Sequence, residues 1–343
     1  MKSRRAKTTL VVALMTGWLA GCGPEQPGAP AATSPPERAP GLTIAMIAKS
    51  STNPVFVSAR KGAETAAKEL AEKHGVPVRI VWMTPDHEDG EIQAAAIAQA
   101  LKDRASAILI SCSDTAKVTA AIDDAVDRGV PVMTFDSDAA GSKRFAFYGV
   151  DDEQLGQSVM RELAAQLHGK GSVAILAGNA EAPNLRKRVD GVRKEAGQYP
   201  GIRIAGTFNH PETPKDAADE VIAAQAANPK LQGWAMIGGW ALSSPRLLKE
   251  LDPGKVKVVA VNALPAQLAY VENGLAPVLL ALPTYDWGYV PVHRIFEKVH
   301  LKREVPPTML MDVVRVSKDN LGTWARRLKT WGFTVPDAYL KMK

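Results

Sequence analysis

Cysteine is almost missing from this chain: Cys22 and Cys112 are the only two thiols in 343 residues. A disulfide framework is excluded, and the fold must rest on its apolar core. Metal-site spacing is missing too. His74, His87, His168, His210, His293 and His300 show neither the i,i+4 helical pairing nor the cysteine partners of a zinc site. There is no Gly-x-Ser-x-Gly elbow, no Gly-x-x-x-x-Gly-Lys loop and no Gly-x-Gly-x-x-Gly after a strand, so neither a serine nucleophile nor a cofactor is implied. Basic residues form no run interleaved with aromatics, and Arg186-Lys187-Arg188 is too short to track a phosphate backbone. Nucleic acid is not an expected partner. Of the net +6, Lys2, Arg4, Arg5 and Lys7 carry four charges, which leaves about +2 on the remainder.

Long apolar runs are lacking as well, and the one that exists is informative. Met1 to Lys7 is basic, and Thr8 to Leu19 is apolar for about a dozen residues, short of the roughly 20 that cross a bilayer as a helix. The stretch closes on Leu19-Ala20-Gly21-Cys22, which resembles the bacterial lipoprotein signal, with residues 1–22 as the signal and Cys22 as the lipidated residue. An ordinary secretory signal with a chance cysteine is the alternative, and Arg4-Arg5 lacks the rest of a twin-arginine pattern. Residues 23–41 are rich in Pro, Ala and Ser, with almost no large apolar side chain, and read as a disordered tether. A globular body hung from a membrane in the cell envelope is the expectation.

About 300 residues remain, enough for two lobes. From Leu42 short β-branched runs alternate with helical patterns, as in a parallel sheet with crossover helices. Strands are expected at 43–48, 78–82, 107–111, 130–135 and 145–148, with helices between. After Gly149 the grammar restarts, with strands at 172–176, 202–208, 234–237, 256–261 and 277–282 and helices that include Leu242 to Leu251 and Leu264 to Glu272. The fold class is therefore α/β: two Rossmann-like lobes with parallel sheets joined by a multi-strand hinge. The expected division is 42–150 plus 283–310 for one lobe and 151–282 plus 311–343 for the other.

In such sheets the carboxyl ends of the strands and the amino ends of the helices make a polar rim where ligands bind. Here those ends carry Lys49 to Asn53, Ser111 to Asp114, Asp136 to Asp138, Asp151-Asp152, Gly178-Asn179, Gly238 to Trp240 and Asn262. Any one of them could be a helix cap, since Asp, Asn and Ser are the preferred residues there. Their joint placement argues for a cleft.

Several stretches resemble the type I periplasmic sugar-binding proteins, in particular the ribose-binding branch. They are the repeated lobe, Asn53-Pro54-Val55-Phe56, Val130-Pro131-Val132 leading to Asp136, Asp152 with Gly156, Arg186 through Gly191-Val192, Val258 to Asn262, and Leu282-Pro283-Thr284-Tyr285 with Gly288. The resemblance runs from about Leu42 to Val316. LacI-type repressors share these lobes, but no helix-turn-helix precedes Leu42, so that branch is not expected.

The resemblance implies a monomeric binding protein that captures a sugar-like molecule and delivers it to an ABC transporter permease. It implies ligand contacts from Lys49, Asn53, Phe56 as a stacking ring, Ser111, Asp136, Asp152, Arg186, Trp240 and Asn262. Three hydrogen bonders of ribose binders are replaced, by Ser137, by Gly238-Gly239 and by Leu282, which argues against ribose itself. Trp82 and Trp240 could compensate by stacking. A sensing module signalling to a membrane receptor, or a hydrolase using Asp136, Asp151 or Asp152, are the competing functions. The tail from Ser317 is expected to pack across one lobe near the hinge.

Overall fold

The computed structural model describes residues 41–342, so the signal, Cys22 and the tether up to Pro40 lie outside the described residues. The first half runs β1 (Leu42–Ile47), α1 (Pro54–His74), β2 (Val78–Trp82), α2 (Gly90–Lys102), β3 (Ala107–Ile110), α3 (Thr115–Asp127), β4 (Val132–Phe135) and β5 (Ala146–Gly149). Then come α4 (Asp152–Gln166), β6 (Lys170–Ala177), α5 (Pro183–Ala196), β7 (Gly201–Asn209), α6 (Pro214–Ala227), β8 (Leu231–Met236), α7 (Leu247–Glu250), β9 (Lys257–Val261), α8 (Leu268–Asn273) and β10 (Val278–Ala281). The chain ends with α9 (Asp286–Val299), β11 (Thr308–Leu310), β12 (Val314–Val316), α10 (Leu321–Thr330) and α11 (Asp337–Leu340).

Two six-stranded sheets result, in the orders β11-β5-β4-β3-β1-β2 and β12-β10-β9-β8-β6-β7. All pairs are parallel except β10 with β12. The orders match strand for strand, so each end of a first-sheet strand has a counterpart in the second. Central strands such as β3, Ala-Ile-Leu-Ile, are buried throughout, as strands covered by helices on both faces must be. Helix starts are fixed by side-chain caps: Asn53, Asp89, Asp114, Asp151 and Thr213 each accept a backbone N–H in the first turn.

The chain crosses between the sheets three times, at 150–151, 282–285 and 311–313. The first and third crossings touch, Met311 N donating to Gly149 O at 2.8 Å. Behind them the helices meet backbone to backbone. A β-carbon on Gly156 of α4 would strike the Arg188 carbonyl of α5, and one on Gly191 would strike the Glu153 carbonyl. Gly62 of α1 and Gly288 of α9 make the same reciprocal contact in the other half, against Tyr285 and Ala59. Each pair of helices is clamped at a distance that only hydrogen side chains permit.

Two expected helices are interrupted. Leu242 to Leu251 becomes a 3₁₀ turn at Trp240–Ser243 and the single-turn α7, because Pro245 has no N–H to donate. Leu264 to Glu272 opens with a 3₁₀ turn at Pro265–Gln267 before α8. The tail packs into the core of the second half through Leu321, Trp324, Ala325 and Leu328, and Trp324 Nε1 donates to Ala263 O at 2.6 Å. Trp331 then reaches Tyr285 at the second crossing, the rings stacked at 5.8 Å and 2°. No described helix is long and apolar enough to cross a membrane.

Candidate functional site

Asp136 follows β4, and its carboxylate collects groups from both halves. Ser111 Oγ, from the end of β3, donates to Oδ2 at 2.9 Å, and Asn184 Nδ2 of α5 donates to Oδ1 at 3.2 Å. Arg188, one turn along α5, stands 3.7 Å from Oδ1 through Nη2. It also donates from Nε to Asp152 Oδ1 at 2.8 Å and from Nη1 to Ile237 O at 3.2 Å. One guanidinium thus holds two carboxylates in a fully buried network. Burial nevertheless pushes the Asp136 carboxyl above its ordinary range, against the pull of Lys49 and Arg188, and pushes Asp152 up to about 6.

Lys49 follows β1 and is buried with two glutamates, its Nζ 3.3 Å from Glu88 Oε2 and 3.9 Å from Glu212 Oε1. Glu88 comes from the loop after β2 and Glu212 from the loop after β7, so the lysine is shared by the two halves. Burial alone would lower the lysine's pKa. The carboxylates of Glu212, Glu88 and Asp136 together overturn this and hold it above its usual value. Burial pushes Glu88 up to about 8; Lys49 opposes that shift and Glu212 adds to it.

Two hollows flank this network between the halves. One, of about 470 Å³, is lined by Ser50, Asn53, Glu88, Asn179, His210 and Glu212, among others. The other, of about 250 Å³, is lined by Asn53, Val55, Glu212, Trp240, Asn262 and Gln267, among others. Buried polar atoms on their lining residues make no hydrogen bond within the protein: both Glu88 carboxyl oxygens, His210 Nε2 and Asn262 Oδ1. Buried polar groups are ordinarily satisfied, so such a concentration marks surface shaped for a polar guest. Beneath the hollows two glutamines fix the loops. Gln93 bonds Ala48 O, Ser111 O and Ser113 N, and Gln267 bonds Gly239 O and Leu264 N.

Of the residues expected from sequence, Lys49, Ser111, Asp136 and Asp152 meet in the buried network, and Asn53, Trp240 and Asn262 line the hollows. Phe56 lines neither. Its ring is buried in an aromatic cluster with Phe135, edge-on at 6.4 Å, and Trp287, at 6.1 Å. The structure does not bring Arg186 to the network: its side chain is 52% exposed and pairs with Glu181 at 3.7 Å. Buried positions on α5 include 184, 188, 191 and 195, a stripe that 186 leaves, so helical period points to Arg188 and Asn184 instead. Trp82 is also elsewhere, under the Arg60 guanidinium at 5.4 Å. Asp151 is an exposed cap of α4.

The Gly238-Gly239 pair has a local cause. A β-carbon at 238 would collide with the Trp240 ring, and one at 239 with Gln267 Nε2. Trp240 itself lies edge-on to His210 at 5.1 Å. Glu88, Glu212 and His210 escaped the sequence reading, although each sits in a strand-end loop just before a helix cap.

A sequence model of the periplasmic binding protein domain matches residues 44–299. The ribose import binding protein of Bacillus subtilis (strain 168) is 32% identical over 158 residues, 46% of this chain and 49% of that protein. The match therefore spans about half the length of that curated relative. An ABC transporter solute-binding protein from Burkholderia graminis, solved in complex with D-arabinose, is 26% identical and superposes with a TM-score of 0.76 over 81% of this chain and 96% of its own. A glucose-galactose binding protein from Geobacillus stearothermophilus is 23% identical, with a TM-score of 0.74 over 82% and 99%.

Proposed function

This chain belongs to the periplasmic binding protein family, in its type I fold, and on that premise we propose that it captures a sugar or sugar-like molecule between its two lobes for an ABC importer. The single observation that carries the proposal is Asp136, whose carboxylate is gripped by Ser111 from one sheet and by Asn184 and Arg188 from the other half. A ligand that replaces or extends such contacts favours the closed arrangement by touching both lobes at once. Vicinal hydroxyls both donate and accept, which suits carboxylates, the Asn262 carbonyl and the Arg188 fork together. The ligand contacts in this reading are Lys49, Asn53, Asp136, Trp240 and Asn262, with Arg188 in the place first given to Arg186.

The relatives above support a transport role and not turnover. We extend the reading to lobes divided at 42–150 plus 283–310 and 151–282 plus 311–343, to a monomer, and to a lipid anchor on Cys22 that keeps the body in the periplasm. A thermal-shift screen of monosaccharides, polyols, nucleosides and signalling furanoses tests the capture. Saturable stabilisation by one class is the expected result, by mass action on the folded state. Folded protein with no response across the panel would overturn it.

A further inference from the structure

The loops after β2 and β7 occupy equivalent edges of the two sheets and each delivers one glutamate. Glu88 stands just before the α2 cap Asp89, and Glu212 just before the α6 cap Thr213. Both aim at one ammonium, that of Lys49. Deeper in, Asp136 and Asp152 share one guanidinium, that of Arg188. Four buried carboxyl groups therefore face two cations, and because burial keeps a proton on Glu88 up to about pH 8, a guest ammonium seated there displaces that proton to solvent.

The larger hollow shows the same imbalance in its hydrogen-bonding capacity. His210 Nδ1 lies 2.7 Å from the Pro211 carbonyl, an acceptor only, so Nδ1 carries the proton and Nε2 offers a bare lone pair. Burial keeps that ring neutral by lowering its pKa. Nε2 makes no hydrogen bond within the protein, and neither does either Glu88 oxygen, although Oε2 lies within ion-pair distance of Lys49. Ser50 and Thr52, the nearby hydroxyls, hydrogen-bond each other at 2.8 Å and Asp86 O at 3.0 and 3.2 Å, so their protons are taken up within that turn. The Glu88 carboxyl and His210 Nε2 are thus buried acceptors with no hydrogen-bond donor in the protein, while the Asn53 and Asn179 amides on the rim of the same hollow supply donors for hydroxyls. A hydroxyl brings one donor and two acceptor lone pairs and leaves the surplus in place, whereas an ammonium brings three donors, a positive charge and no acceptor.

We infer that the guest is an amino sugar, its protonated amine seated against Glu88, Glu212 and His210 while its hydroxyls meet the Asp136 and Asn262 side. The inference rests on the sugar-capture reading above and narrows it.

Titration calorimetry on the intact chain tests it with matched pairs: glucosamine, galactosamine and mannosamine against glucose, galactose and mannose, and against their N-acetyl forms. At least one amine should bind about tenfold or more tighter than both its neutral partners, as expected for a charge-assisted bond in a buried site. Glu88→Gln should reduce that ratio to near one. Equal or weaker binding of every amine overturns the inference while neutral-sugar binding keeps the capture reading. No binding by any member of the panel overturns both. The wild-type ratios decide without the variant, so a poorly folded Glu88→Gln does not blunt the test.

Discussion

Asp136 and Asn262 are counterparts: each is the first residue after its strand, β4 or β9, and each adopts a left-handed backbone, with φ of 55° and 75°. Each N–H donates to the neighbouring strand, Asp136 to Tyr148 O at 3.0 Å and Asn262 to Leu280 O at 2.9 Å. The shared kink turns both side chains out of the sheets toward the space between them. Asp and Asn tolerate this region better than other residues with a β-carbon.

Replacing Asn262 separates backbone from contact. Asn262→Ala and Asn262→Gly should weaken ligand binding alike, while the alanine variant is less stable than the glycine variant by about 1 kcal/mol, since only glycine takes a left-handed φ freely. Paired calorimetry and chemical denaturation read the two effects. Equal stability of the two variants would show that the kink carries no strain.

Arg188 and Arg186 should behave as opposites. Arg188→Met strands two buried carboxylates and should cost about 3–5 kcal/mol of folding stability along with most of the binding. Arg186→Ala, on an exposed side chain, should stay within about 0.5 kcal/mol and leave binding intact. Denaturant midpoints of the two variants provide the comparison.

The carboxyl groups raised by burial set a pH dependence with a definite sign. Asp152, at about 6, and Glu88, at about 8, hold their protons longer in the folded chain than in the unfolded one. Their contribution is complete below the unfolded carboxylate range and is lost as pH rises through the folded values. His210, whose pKa is lowered, acts in the opposite direction near neutrality, so the useful quantity is a difference. Glu88→Gln should gain stability relative to wild type from about pH 5 to about pH 8, by up to a few kcal/mol, and level off above. Melting temperatures across that range that run parallel for the two proteins would refute the assignment.

Gly191→Val probes the clamp behind the site. Its side chain must push α5 from the Glu153 carbonyl of α4, costing about 2 kcal/mol or more, and must shift Arg188 with the helix. Gly62→Val should destabilise the other half comparably with a smaller effect on affinity. A crystal structure of either variant, or denaturation with calorimetry, would show whether the two effects separate.

The strands and their parallel pairing were legible because buried strands read as short β-branched runs, and the polar strand ends followed from that architecture alone. Asp136 and Asn262 could be placed in this way. Arg188 could not be told from Arg186 by motif spacing, though the buried stripe through Asn184, Gly191 and Glu195 distinguishes them by helical period. Phe56 was legible as apolar but not as a core ring, since its neighbour Trp287 lies more than 200 positions on. Glu88 and Glu212 gain their meaning only together, from loops brought face to face by the fold. The three-residue strands β11 and β12 are too short to show any alternation.

The stacked faces of Trp331 and Tyr285 have the geometry of a bearing. Flat rings can glide over one another and keep their contact through a change of angle, whereas a directional bond at the same place would have to break. Lobe motion of the kind proposed above is then expected to run as rotation in the plane of those rings, and removing the tail beyond Thr330 should leave the pivot free to wobble.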